Sequence, residues 1–340
     1  MTLDPDRRRA ALGAKLGALV EARWPSAGSD ASDASDVGDR VGSTFAGGAT
    51  LKQGTTGWIL LDERPERGLG AALAWARQQQ VDDLHVLVDE HGGVVARRAA
   101  EFARAPHVWS VDGRSLVEAS PAGFEVPVIP SPEADRAAEL LRQSGADVVI
   151  EHGVILGEVE GLEMARVVVD EHGARVEVGV GRHDREAFAM LHGEVPTAEA
   201  LASVIETVRA VRHPGAAPHP LNRLAAERWL RSRIVADPSI VGAAELVPVE
   251  GTLARDGVKD IVAAVAVGTD PDGSSVVAVA SIGIDLDLVP TAADARAYYS
   301  PGARLVLVLP ERDAHASTRA LAAALADPAE IVTRPGDWRA

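Results

Sequence analysis

The chain reads as an α/β protein, and three observations carry that reading. Apolar runs of strand length, among them GWILLDE, LHVLVDE and ARLVLVLPE, recur along the sequence. Between them lie segments such as GLGAALAWARQQQ and EADRAAELLRQSG, whose apolar residues return at helical spacing. Two proline-rich stretches, SPAGFEVPVIPSP and HPGAAPHPL, punctuate the pattern. The expected architecture is a small parallel α/β N-terminal unit followed by two units of helix, three strands and helix.

The first helix runs through RRRAALGAKLGALVEAR and ends near Trp24. A Ser/Asp/Gly run, PSAGSDASDASDVGDRVGS, follows with almost nothing to bury and reads as a flexible linker; residues 1–50 are this helix and tether. Residues 51–125 form the small α/β domain: strand GWILLDE, helix GLGAALAWARQQQ, strand LHVLVDE, helix GVVARRAAEFARA and strand HVWSVDG.

The next unit spans 130–212. It begins with a helix carrying Ala134, Ala137, Ala138 and Leu141, with Gly145 as its C-terminal stop. Three strands are expected, DVVIEHG, VILGEVEGLEMARVVVD and ARVEVGVG, the last two joined by a tight EHG turn. Helices at DREAFAMLHG and TAEALASVIETVRAVR close the unit. The last unit, 213–340, repeats the order: helix at about 222–236, strand AELVPVEGTL, a central hairpin at 259–283 turning at PDG, helix at about 290–299, strand ARLVLVLPE and helix STRALAAALAD. It is expected to stand as an independent domain.

Composition narrows the function. The 340 residues suit two to three domains at about 150 residues each. An apolar fraction of 46% excludes wholesale disorder. With 34 Lys+Arg and 50 Asp+Glu, the formal charge is 34 − 50 = −16, so most of the surface should repel nucleic acid. The sequence has no cysteine, which removes disulfide scaffolds, thiolate zinc sites and cysteine nucleophiles, and suits a reducing compartment. No stretch approaches the roughly 18 apolar residues that span a bilayer, and the charged N-terminal helix lacks a secretory signal's apolar core. The expectation is a cytoplasmic, soluble protein without membrane association. GxGxxG after a strand, GK[ST], GxSxG and HExxH are all missing, which disfavours dinucleotide oxidoreductases, P-loop enzymes, α/β-hydrolases and zincins.

The repeated helix–hairpin pattern resembles the core of the PD-(D/E)XK restriction-endonuclease-like superfamily. In GLEMARVVVDEHGARVEVGVG, Glu163 takes the position of the first metal-binding acid and Glu177 that of the Glu in Glu-x-Lys. The stretch from Glu227 to Ser281 is similar to the nuclease domain of mismatch-type single-chain endonucleases, with Glu227, Glu250 and Asp260 matching the family's acids in order. The resemblance covers roughly 130–200 and 222–325. It implies Mg²⁺ held by Glu163, Glu177 and Asp260 as catalytic acids, with a lysine positioning the attacking water. The lysine positions, however, carry Gly179 and Ser281, and one Glu position carries Val279. Lys259 lies beside Asp260, on the opposite face of a strand.

The same residues have plainer readings. Glu158, Glu163 and Glu177 suit a solvated sheet face, and Asp184 suits a helix N-cap with Arg182 and Arg185 facing solvent. Arg223, Arg228, Arg231 and Arg233 suit a solvated helix face. His213 and His219 suit loop packing, and Asp285 and Asp287 mark a strand end before Pro290. If nucleic acid binds at all, the contacts fall to Arg182, Arg185, Arg223, Arg228 and Arg231, giving weak, salt-sensitive binding. The expected function is a divergent nuclease-like protein, catalytically inactive and without a cofactor, that binds a nucleic acid or a protein partner. The alternatives are a metal-dependent nuclease whose lysine has migrated, using Mg²⁺, and a structural or assembly protein.

Overall fold

A computed structural model describes residues 4–25, 40–45, 47–181, 184–187, 197–213, 215–253, 261–336 and 338. Among the described residues the fold is mixed α/β, with three sheets in two compact units. One unit takes Met1–Phe124, Leu286–Asp294 and Ala316–Pro328; the other takes Glu125–Asp285, Ala295–His315 and Ala329–Ala340.

The N-terminal unit is built on a six-stranded sheet in the order β1 (Val41–Phe45), β2 (Gly48–Gln53), β3 (Thr56–Leu61), β4 (Asp83–Val88), β5 (His107–Asp112), β6 (Ser115–Glu118). The three expected strands β3, β4 and β5 are its parallel centre, and α2 (Leu69–Gln78) and α3 (Gly92–Ala99) are the crossovers. Helix α1 (Pro5–Arg23) lays Leu12, Leu16, Leu19 and Val20 on Ala49, Trp58, Leu60, Leu87 and Trp109. Trp75 of α2 lies over Gly57, whose side of the strand is opposite to that of Trp58, so α2 covers the other face.

Two expectations from the sequence give way here. The chain is not a tether through residue 50, because Val41–Phe45 pairs with Gly48–Gln53. As an edge strand with four exposed residues, β1 lacks the alternation that marks a half-buried strand. The four-residue β6 is likewise unmarked by pattern. The later segments join this unit by specific bonds: Gly70 N–H donates to Asp287 (2.8 Å), and the wholly buried Asp294 accepts from Arg97 (2.7 Å) and Arg98 (3.0 Å).

The second unit opens with α4 (Pro132–Gln143), capped by Ser131 accepting from Ala134 N–H at 3.2 Å. Four antiparallel strands follow, β7 (Asp147–Glu151), β8 (Val154–Val159), β9 (Leu162–Asp170) and β10 (Gly173–Val178), then α5 (Thr197–Val211). Leu141 of α4 and Leu201, Ile205 and Val208 of α5 pack with Ile155, Leu162 and Met164 of the strands. Four strands stand where the sequence predicts three. Glu160 and Gly161 both take positive φ (47° and 72°), so a two-residue turn folds VILGEVEGLEMARVVVD back on itself.

The remaining elements are α6 (Ala226–Ala236), β11 (Glu245–Val249), β12 (Ala264–Thr269), β13 (Ser275–Ala280), α7 (Leu288–Tyr299), β14 (Arg304–Pro310), α8 (Ala316–Ala324) and β15 (Glu330–Arg334). Strands β11 to β13 are an antiparallel meander, and β13, β14 and β15 are parallel. The hairpin turns where PDG stands, Gly273 N–H donating to Asp270 O at 2.9 Å. The C-terminal β15 is absent from the expected order: it is short, and its residues are exposed or half-buried.

Candidate functional site: an arginine–glutamate cluster

Strands β8 and β9 set Glu158 directly opposite Glu163, and an irregularity in register falls between Gly157 and Glu158. Both are buried, at 3% and 4% exposure. Two like charges facing across a buried hairpin are unfavourable unless cations reach them.

Helix α6 supplies those cations. Arg228 and Arg231 are three residues apart, hence on one helix face, and are 3% and 1% exposed. Arg231 Nη2 donates to Glu158 Oε2 at 2.7 Å, and Arg228 Nη1 stands 3.1 Å from Glu158 Oε1 and 4.0 Å from Glu163 Oε2. Arg228 also pairs closely with Glu151, at the end of β7. Burial alone would lower the Arg228 pKa; the carboxylates of Glu158, Glu151 and Glu163 overcome it and hold the guanidinium above its ordinary value. The solvated helix face expected at Arg228 and Arg231 is therefore not what forms.

Two local features bring α6 this close. Gly161, in the β8–β9 turn, leaves room for the α6 backbone: a side chain there would sit 2.2 Å from Arg228 O. The wholly buried Arg212 then donates to the carbonyls of Glu160 (2.8 Å), Leu221 (2.7 Å), Leu224 (2.9 Å) and Ala225 (3.0 Å), tying the turn to the start of α6. Its ring partner is Trp229, 4.9 Å from the guanidinium carbon. Burial pushes the Arg212 pKa down to about 10, still charged at neutral pH.

On the other side of Glu163, Arg166 donates from Nε (2.8 Å) and Nη2 (2.5 Å), and Arg185 from Nη1 (3.1 Å). Arg185 Nε is also 3.9 Å from Glu177 Oε2, and Arg175 Nη2 donates to Glu177 at 2.9 Å. Burial, with repulsion from Arg166, lowers the Arg185 pKa. The strand register places Glu177 opposite Arg166, not opposite Glu163. One guanidinium thus lies between the two acids that the nuclease resemblance assigns to a cation.

Gly179 permits this. It has φ +138°, and a side chain there would lie 2.7 Å from Arg185 N. The chain after β10 passes through that space, and Asp184 accepts from Val180 N–H at 2.7 Å. The N-cap expected of Asp184 becomes a bond back to the strand end.

Among the sequence-derived candidates, Glu163, Glu177, Arg185, Arg228 and Arg231 meet in one cluster. Arg223 is exposed on a 3-10 turn, Pro220–Arg223. Asp260, Arg182 and Lys259 lie outside the described residues. Glu227 is buried, and Glu250 accepts from His152 N–H at 2.6 Å. Asp287 serves the Gly70 amide as noted, and Ser281 is buried beside β14, its N–H on Val308 O at 3.1 Å. Sequence reasoning missed Glu151, Arg166, Arg175 and Arg212; none belongs to a spaced motif.

A resident Mg²⁺ does not fit this donor set. Glu158 and Glu163 already face Arg166, Arg185, Arg228 and Arg231, whose positive charge would repel a divalent ion. Among the described residues, no group of three or more His, Asp or Glu is arranged to hold a metal. Comparison with protein-family models, with curated proteins and with solved structures returned no match in any of the three.

Proposed function

We propose that the chain is a non-catalytic binding protein whose second unit is a degenerate nuclease-like core. The observation that carries this reading is Arg185 between Glu163 and Glu177, a fixed protein cation where the related chemistry needs a mobile metal ion. Phosphodiester hydrolysis needs positive charge concentrated on the phosphorane, from metals and a lysine or arginine free to meet it. Here the charge is neutralised by carboxylates.

The same pairing favours a protein over a nucleic acid as partner. Arg228 and Arg231 are buried against glutamates, so of the residues assigned to phosphate contact, exposed Arg223 is the strongest candidate among those described. A net charge of −16 repels a polyanion at long range.

Calorimetric titration with Mg²⁺ and Mn²⁺, alongside a DNA-cleavage assay and DNA anisotropy at two salt concentrations, tests this reading. The expected result is no saturable cation binding, no cleavage and at best micromolar, salt-sensitive DNA binding. Metal-dependent cleavage that disappears in Glu163→Gln, or DNA binding that survives high salt, overturns it.

A further inference from the structure

We propose that the N-terminal unit holds a small amphipathic organic anion, one with an aromatic or apolar body and a single acidic group, in a cleft between β1–β2 and α2. This site is separate from the arginine–glutamate cluster and does not depend on the reading of it.

The cleft follows from the sheet being wider than its helical cover. Helix α2 packs on β4 and sets Trp75 over Gly57 of β3, while β1 and β2 extend past it at the sheet edge. On the opposite face α1 packs against both strands and leaves a smaller hollow of about 480 Å³, so the larger one lies on the α2 side. The hollow has a volume of about 670 Å³ and opens to solvent. Ligand pockets typically run from about 300 to about 1,000 Å³.

Its walls are apolar at one end and charged at the other. Val41 and Phe45 of β1 and Ala71 and Trp75 of α2 give a body-binding surface, and Trp75 is held in place over Gly57. Lys52 is the one charged side chain among the described lining residues. Its ammonium donates to Gln79 O, at the carbonyl end of α2, at 2.5 Å. That bond fixes the charge at the cleft, and an ammonium has three donors, so others remain for an anion. Thr50 donates to Ser43 O at 3.4 Å across β1–β2, which leaves the floor of the cleft uncharged. An apolar slot with a single cation in a strongly acidic protein selects a ligand with an apolar body and one negative group.

The probe for the test is anilinonaphthalene sulfonate, compared with the neutral N-phenylnaphthylamine, at about 0.15 M salt where long-range repulsion is screened. The full chain should bind both in a saturable way. Lys52→Met should weaken the sulfonate about tenfold or more, the scale of one charge-assisted hydrogen bond, and leave the neutral probe within about twofold. Ala71→Trp, at an exposed position on α2, should fill the cleft and abolish both. Melting curves establish that each variant is folded, and Lys52→Met decides the matter if Ala71→Trp does not fold. Absence of saturable binding overturns the site. So does binding unchanged in a folded Ala71→Trp, and equal weakening of both probes by Lys52→Met overturns the anion specificity.

Discussion

Arg185 Nη1 lies 3.1 Å from Glu163 Oε1, and it reaches there because Gly179 carries no side chain to hold the chain off. The open space at Gly179 and the guanidinium that enters from the next turn are thus one structural feature.

Removing Glu158 should be strongly destabilising. Arg231 is wholly buried, and among the described residues its guanidinium meets the carboxylates of Glu158 and Glu151, at 2.7 and 3.7 Å. Taking away one partner of a buried pair costs about 3–5 kcal/mol, because the remaining charge stays desolvated. Glu158→Gln should lower the urea midpoint accordingly, and the double change Glu158→Leu with Arg231→Met should recover most of the loss. A Glu158→Gln effect below about 1 kcal/mol would show the cluster to be hydrated.

Two glycine substitutions should differ in size for a geometric reason. Gly179→Ala and Gly273→Ala both place alanine at positive φ, which costs about 1–2 kcal/mol. Only at Gly179 does the new methyl also meet backbone, 2.7 Å from Arg185 N, whereas nothing lies within 4 Å at Gly273. Gly179→Ala should therefore cost clearly more in denaturant unfolding; equal losses would mean that the Arg185 turn moves freely.

Stability should depend on pH through His85. Trp109 Nε1 donates to His85 Nδ1 at 3.1 Å, so the ring proton sits on Nε2, 3.2 Å from Asp83. Burial lowers the His85 pKa below the usual histidine value against the pull of Asp83, and His107 and Arg23 add to the lowering. A base with a depressed folded pKa contributes stability above its unfolded value, about 6.5, and loses it as pH falls through the folded value. Wild type should lose more stability between about pH 7.5 and about pH 5.5 than His85→Gln does. Parallel curves would remove His85 from the acid response.

The segment 213–340 should not fold alone. Excised, it carries Arg228 and Arg231 on the inner face of α6 without Glu151, Glu158 or Glu163. Circular dichroism of the isolated segment should show no cooperative melt, while the full chain should show one. A cooperative transition in the short segment would show that α6 repacks without the β7–β10 sheet.

Much of the element order is legible in the sequence. Period-two and period-3.6 patterning marks β3, β4, β5, α2, α4 and the β12–β13 hairpin, because each buries one face or both in a core that excludes polar groups. Of the strands that escape it, β1, β6 and β15 lie at sheet edges and bury little, so burial leaves no period to read. Strand β2 lies inside its sheet, and its buried residues are consecutive rather than alternating. Turn chemistry is legible at Asp272–Gly273 and hidden at Glu160–Gly161, where a glutamate takes a positive φ that its residue type does not advertise.

The candidate acids Glu163 and Glu177 and the basic run of α6 are likewise visible as residue types. Their meaning is not. An arginine on a solvated helix face and one buried against a glutamate leave the same trace in a sequence, since local periodicity does not encode which remote surface the face meets. Composition and order alone determined an acidic, cysteine-free α/β chain. Only the tertiary structure decided that the arginines turn inward, because two close backbone approaches, at Gly161 and Gly179, bring chain segments distant in sequence near enough for their charges to meet away from water.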